Sequence, residues 1–461
     1  MSKIDTSNFE TSKIERFNYA FYFLGQGMTY VILYSFLQPY ALDAGISALI
    51  FAGVSLAIKA GDAINDPIFG FLLEKIHLKG DKYLPWIKIS ILIIPLATFL
   101  VFAIPTSLPI GAKIAWLVIG YMLWDVAYTI GDVPIYALST AMTSNISERT
   151  LLISRGCFFD PIAIFLPIFL LPLVRVRLGG WINTMLVFAL FCVVTMIPVC
   201  FKVKERVASI AEEDKADPSL KEMLSYVFTN KYLLFFYIGV LIYYTFNISS
   251  TMSLFVARYC FGNESFSSVM SLALLAPPIA CALLVPPLQK KIDKFRIFIA
   301  ALIFMNAMCV VIYFIGMKSF PLFIVFTVLR GVGFGFVSTL LYAFIGDCCE
   351  YGTYKTGCDA KEIAFATHTF FTKLMGATCT AFSSLCLHFI GYVEGEGATQ
   401  LESLPHNMWI LYCLVPVIGI FFALPVFAKY KLNDKDVNLM AQCNAGKLIR
   451  EEADAKMSRK Y

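Results

Sequence analysis

Charge is what this chain is short of. Only 15% of its 461 residues are Asp, Glu, Lys or Arg, where soluble domains carry about 25%. Hydrophobic residues make up 59%, and the mean hydropathy is +0.73. That balance excludes an ordinary water-soluble fold and points to a polytopic membrane protein. A basic domain is also missing. The net charge is +5, but Lys and Arg fall in short segments between apolar runs, which excludes nucleic acid as a partner and gives these residues a topological role. No pair among the thirteen Cys has the two-plus-two spacing of a zinc site. The densest group, Cys348, Cys349 and Cys358, reads as small membrane or helix-end residues, so no structural metal is expected. Met1 to Arg16 is polar and lacks the apolar core of a cleavable leader, so the first apolar segment is expected to be a retained span. Paired intramembrane Asp residues suit a membrane aspartyl protease, but Gly61-Asp62 and Gly131-Asp132 lack the second Gly at the required spacing and Pro-Ala-Leu is absent. The chain is therefore not expected to be an enzyme.

What is present is a long series of apolar runs. A bilayer core of about 30 Å needs about 20 apolar residues in a helix. Such runs lie near Phe17 to Leu42, Ser47 to Leu73, Leu84 to Ile104, Ile114 to Met142, Leu151 to Val174 and Trp181 to Phe201. A second set lies near Tyr232 to Val256, Phe266 to Leu288, Phe295 to Met317, Phe320 to Ile345, Ala364 to Tyr392 and Met408 to Phe427. The expected organisation is a six-helix bundle over residues 1–201, a central loop over 202–231, a second six-helix bundle over 232–428 and a tail over 429–461. Lys and Arg concentrate in alternate loops, at Lys75, Lys79 and Lys82, at Lys202, Lys204 and Arg206, and at Lys290, Lys291, Lys294 and Arg296. The positive-inside rule places those loops and both termini in the cytoplasm. The segment from Glu394 to His406, with three Glu and no Lys or Arg, belongs on the opposite side. The halves echo each other: Phe71-Leu-Leu-Glu-Lys-Ile76 resembles Pro287-Leu-Gln-Lys-Lys-Ile292, each between the second and third spans of its half. Two six-span repeats around a midplane site is the major facilitator plan.

Several runs carry charge at membrane depth, where a central charge costs about 2.5 to 3.5 kcal/mol on insertion scales. Asp62 and Asp66 stand four apart, on one helix face with Lys59 one turn behind. In the fourth run Asp125 and Asp132 are seven apart and share a face with Trp124, Tyr128, Thr129 and Tyr136. Aromatic rings beside carboxylates suit a sugar, whose C–H faces stack while its hydroxyls donate. Arg155 and Asp160 lie in the fifth run, Arg330 in the tenth, and His368, Thr369 and Lys373 in the eleventh. Five acids (Asp62, Asp66, Asp125, Asp132, Asp160) face four bases (Lys59, Arg155, Arg330, Lys373). Four of the acids sit in two runs, an arrangement suited to a hard monovalent cation or a proton.

Five stretches together carry a resemblance over nearly the whole chain: Asp62 to Gly70, Lys82 with Pro85-Trp86-Ile87, Tyr128 to Pro134, Asp347 with Tyr351-Gly352 and Lys355-Thr-Gly357, and Lys373 followed by Gly376. They are similar to the glycoside-pentoside-hexuronide:cation symporters of the major facilitator superfamily. The resemblance implies an all-α fold of 12 transmembrane helices in two bundles, working as a monomer in the plasma (cell inner) membrane. It implies a cation site of Asp62 and Asp66 with Asn65, Thr129 and Asp132. It implies sugar contacts from Trp124, Tyr128, Asp132, Tyr136, Arg155, His368, Thr369 and Lys373. Asp132 would then serve both ligands. No cofactor is implied beyond co-transported Na⁺, Li⁺ or H⁺. The chain departs from the family pattern at Gln26-Gly27, where the family's best-studied member has a Lys-Asp pair holding a galactosyl unit, and at Lys59 and Tyr136, which replace Arg and Trp. Asp125 and Asp160 are additional to the pattern. The function expected is cation-coupled sugar or glycoside symport; the alternative is a carrier of lysolipids or other amphiphiles, which a Phe-rich cleft would admit.

Overall fold

A computed structural model describes residues 9–59, 80–206, 227–357, 361–444 and 446–459. Every regular element among them is a helix. Ten are long and apolar enough to cross a membrane. Of the other expected spans, the second is described only over Ala48–Lys59, and the eighth is divided into two shorter helices at Ala276.

By contact the chain separates into two units, one formed by Met1–Lys215 with Tyr392–Gln400, the other by Ala216–Gly391 with Leu401–Tyr461. The first contains α1 (Lys13–Asp43), α2 (Ala48–Lys59), α3 (Leu84–Val101), α4 (Ile110–Met142), α5 (Ile146–Leu178), α6 (Trp181–Met196) and the short α7 (Val199–Lys202). A capping box starts α1: Ser12 accepts from the Glu15 amide and Glu15 reaches back to the Ser12 amide. The helix ends before Gly45, whose positive φ of 86° no β-carbon resists. At the start of α3 the Glu205 carboxylate accepts from the amides of Lys82, Tyr83 and Leu84 at 2.7–3.0 Å, so an anion meets the positive end of the helix.

Small residues let these helices approach closely, as membrane packing requires. A β-carbon at Gly25 would collide with Thr195 Oγ1 on α6, and one at Gly27 would lie 2.8 Å from the Ala163 β-carbon on α5. Accordingly α1 packs most extensively on α5 and then on α6. The core joins Tyr19, Tyr22 and Phe23 of α1 to Ile87, Ile91 and Ile94 of α3 and Ile135 and Leu138 of α4.

The second unit contains α8 (Lys231–Phe246), α9 (Ser249–Tyr259), α10 (Phe266–Leu275), α11 (Pro277–Gln289), α12 (Lys294–Ile315), α13 (Phe320–Thr356), α14 (Lys361–Phe389), α15 (Leu404–Phe427), α16 (Asp434–Asn444) and α17 (Arg450–Lys456). The expected seventh span is broken at Asn247. Arg330 of α13 holds the break, its Nη2 donating to Asn247 Oδ1 at 3.2 Å and Ser249 Oγ at 2.8 Å. Arg330 is 2% exposed and has no carboxylate partner among the described residues; its Nε and Nη1 make no hydrogen bond. Phe236, Phe298, Phe344 and Tyr430 form an aromatic core within the unit.

Two segments expected as loop and tail are built into these units. Residues 392–400 dock on the first unit through Gly395 N to Leu42 O and Glu396 N to Asp43 O, each 2.9 Å. The terminal segment forms α16 and α17, and α16 packs on α13. There Lys294 Nζ lies 2.6 Å from Asp347 Oδ1 and 3.3 Å from Asp434 Oδ1.

Candidate functional site

The site grows from α4, where residues spaced by four share one face. Trp124 and Tyr128 stack with ring centroids 5.1 Å apart and planes 25° from parallel. Tyr30 of α1 lies against both, 6.4 Å from Trp124 and 5.6 Å from Tyr128. Trp124 is fully buried and donates from Nε1 to Thr98 Oγ1 at 2.9 Å. One turn beyond Tyr128 stands Asp132, whose Oδ1 accepts from Gln26 Nε2 at 2.6 Å. Gln26 is 2% exposed, so its amide is committed to that carboxylate as a short charge-assisted bond. A further turn brings Tyr136, 43% exposed, edge-on against Phe23 at 5.3 Å. Asp132 and Asp160 both act electrostatically on the Tyr136 hydroxyl, which draws Asp160 of α5 into the same neighbourhood.

Local packing explains why α4 presents this face. Tyr19 donates to the Ile135 carbonyl at 3.0 Å, and the Tyr22 and Ser90 hydroxyls share a 2.7 Å hydrogen bond. Gly131, next to Asp132, must be Gly: a β-carbon there would lie 2.5 Å from Tyr22 Oη and 2.8 Å from Ile94 Cδ1. Gly156 of α5 likewise admits the Phe23 ring, 2.8 Å from its would-be β-carbon, and Phe23 in turn supports Tyr136.

A second charged group lies one turn toward the other end of α4. Lys59 Nζ sits 5.5 Å from the Tyr121 ring centroid, a cation–π contact. Asp125, buried, acts on the same Tyr121. Lys59 and Asp125 thus both lie in the surroundings of Tyr121. Thr129 is buried and donates from Oγ1 to the Asp125 carbonyl at 3.1 Å. Asp62, Asn65 and Asp66 lie outside the described residues, so of the expected cation set the structure places Thr129 and Asp132.

Arg155 is exposed on α5, with no ion pair or hydrogen bond among the described residues. In the second unit His368 is buried and stacks on Tyr237 at 6.3 Å, which stacks on Phe371 at 4.2 Å. Lys373 is half-buried on α14; the side chain of Thr369 lies outside the described residues. Gln26, Tyr128, Asp132, Tyr136 and Asp160 therefore form one neighbourhood, Lys59 of α2 and Asp125 of α4 another beside Tyr121, and His368 belongs to an aromatic stack. Sequence reasoning missed Tyr30, Tyr34 and Thr98. Tyr30 and Tyr34 stack at 6.3 Å with planes 5° from parallel. Their signal was available, because Gln26, Tyr30 and Tyr34 recur every fourth residue on α1.

Chemically, the first unit offers flat aromatic faces, the three carboxylates of Asp125, Asp132 and Asp160, and the Arg155 guanidinium, which has no ion pair among the described residues; none of these forms a nucleophile–base pair. The comparisons agree with a transporter. The profile of the family described as MFS/sugar transport protein matches residues 18–434. The isoprimeverose transporter of Lactiplantibacillus pentosus is 25% identical over 93% of this chain and 90% of its own length. The glucuronide carrier protein homolog of Escherichia coli (strain K12) is 25% identical over 87% of this chain and 88% of its own. Among solved structures, that of the nucleoside transporter NupG superposes with a TM-score of 0.62 at 14% identity, covering 91% of this chain and 100% of that one; it establishes a shared fold. With a matching profile over most of its length and an all-helical fold shared with membrane transporters, this chain is a multi-pass membrane transporter and not an enzyme, and it belongs to the MFS/sugar transport family, the glycoside-pentoside-hexuronide:cation symporter group of the major facilitators.

Proposed function

We propose that the chain is a secondary active transporter that moves a sugar or glycoside together with Na⁺, Li⁺ or H⁺ by alternating access. The observation that carries this reading is the α4 face: an aromatic stack of Trp124, Tyr128 and Tyr30 leading directly to Asp132, which Gln26 holds. A sugar ring stacks on such rings and donates its hydroxyls to such a carboxylate. The free guanidinium of Arg155 adds a planar fork for vicinal hydroxyls or a sugar carboxylate. Glycosides and sugar acids are favoured as substrates by the isoprimeverose and glucuronide relatives. Galactosides are disfavoured, since Gln26 replaces a charged pair.

The cation is assigned to Asp62, Asn65 and Asp66 with Thr129 and Asp132, so that Asp132 links the two ligands. His368, Thr369 and Lys373 are assigned to substrate from the second unit. Loop charge supports a plasma-membrane orientation with both termini in the cytoplasm, and the working unit is taken as one protomer in the lipid bilayer. The test is uptake of labelled glycosides, pentoses and hexuronates into proteoliposomes, with Na⁺ present or absent and pH clamped. At least one sugar should accumulate only with a cation gradient. Uptake confined to lysolipids or other amphiphiles would replace this reading with the amphiphile carrier.

A further inference from the structure

Beyond the transport site, the second unit carries an apolar groove of about 400 Å³ between α11, α12 and α13. Its walls are carbon: Leu288 from α11, Ile292 from the following turn, Ala300 and Phe304 from α12, and Val332 and Phe336 from α13. Ile292, Ala300 and Phe304 are exposed, so the groove opens outward along α12. From Arg296 to Phe304 is eight residues, about 12 Å of helix, against about 15 Å of hydrocarbon in one leaflet. A groove of that length matches an extended acyl chain standing along the helix.

One end of the groove is charged, and with one sign. Arg296 lines it, and Lys290 and Lys291 are exposed in the turn that precedes α12. None of the three side chains has an ion pair or hydrogen-bond partner among the described residues. The nearby acids are occupied. Asp293 accepts from the Phe295 and Asp434 amides, each at 3.0 Å, and Asp347 and Asp434 are paired with Lys294. The basic residues outside the Lys294 cluster are thus left for something outside the chain.

We propose that this groove binds an anionic phospholipid, with one acyl chain along α12 and the headgroup phosphate on Arg296, assisted by Lys290 and Lys291. Clustered basic residues beside membrane helices recognise anionic headgroups in this way, and Arg grips a phosphate bidentately.

The test is native mass spectrometry of the full chain purified in detergent, with phosphatidylglycerol or phosphatidylcholine of equal chain length. Wild type should retain phosphatidylglycerol at least about fivefold better, the scale of one basic residue toward an anionic surface. Arg296→Glu should abolish that preference, lowering phosphatidylglycerol retention to the phosphatidylcholine level or below. Ala300→Trp, which fills the groove, should lower retention of both lipids, and Arg296→Glu keeps the test informative if the Trp variant fails to fold. Inorganic phosphate should not displace the lipid. Equal retention of the two lipids by wild type overturns the proposal, as does retention indifferent to both substitutions; displacement by phosphate alone overturns the lipid as occupant.

Discussion

Replacing Gln26 by Leu removes a side-chain amide donor that the structure gives Asp132 and keeps the volume nearly constant. The bond is short, 2.6 Å, and its donor is buried. A hydrogen bond to a charged group contributes about 1.5–3 kcal/mol, which corresponds to about 10- to 150-fold in an equilibrium constant. Asp132 is assigned to both ligands, so the loss should appear in both affinities. Equilibrium binding of a transported labelled sugar at saturating cation gives the first affinity. The cation concentration for half-maximal binding at fixed sugar gives the second. The half-buried Asp132 can gain water when Gln26 is gone, so the unfolding midpoint should fall by only a few degrees. Sugar and cation affinities both within twofold of wild type, with the protein folded, would refute the reasoning.

Further outcomes follow from other contacts. Asp62→Asn or Asp66→Asn should abolish uphill accumulation, up to about 50-fold for one charge at 100 mV, while leaving sugar exchange measurable in proteoliposomes. Arg175→Met should lower stability by about 3–5 kcal/mol, because it leaves the buried Asp43 carboxylate, now 3.1 Å from Arg175 and 3.0 Å from Trp181 Nε1, without its cation; adding Asp43→Leu should recover most of that in thermal unfolding. Glu148 lies before the fifth membrane span. Burial would raise its pKa, but hydrogen bonds from Thr11, Thr143 and the Glu10 and Thr11 amides lower it below the usual 4.5. The native state therefore binds this proton less readily than the unfolded chain, and the docking of residues 10–16 contributes stability that is present above pH 4.5 and lost as pH falls through the lower folded value. The protection factors of the Glu10 and Thr11 amides, with the intrinsic pH dependence of exchange divided out, should fall over that acid range and stay constant from there to neutral pH.

The membrane helices were legible because hydropathy is a property of each run by itself. The face of α4 was legible for a similar reason, since helical spacing alone aligns Trp124, Tyr128, Asp132 and Tyr136. What escaped the sequence depends on partners distant along the chain. The break at Asn247 lies inside one continuous apolar run, and Arg330, 83 residues away, donates to Asn247 across it. Arg330 itself reads as a membrane-depth charge in the sequence, and the structure makes it a helix-break clamp. Residues 392–400 read as a base-poor loop, yet Glu394 caps Ala48 at 2.9 Å and Glu396 meets Arg175 at 2.8 Å. Thr98 carries no charge and follows no pattern, so only its hydrogen bond from Trp124 Nε1 marks it, whereas Tyr30 is marked by its four-residue spacing from Gln26.

The central claim, that one carboxylate on α4 couples a sugar to a cation, is tested most directly by reciprocal titration of wild type and Asp132→Asn. Sugar affinity is measured at zero and saturating cation, and cation affinity at zero and saturating sugar. Linkage requires the two ratios to be equal. Wild type should show a ratio well above one in both directions, and Asp132→Asn a ratio close to one. A ratio of one in wild type, or an undiminished ratio in Asp132→Asn, would contradict the claim.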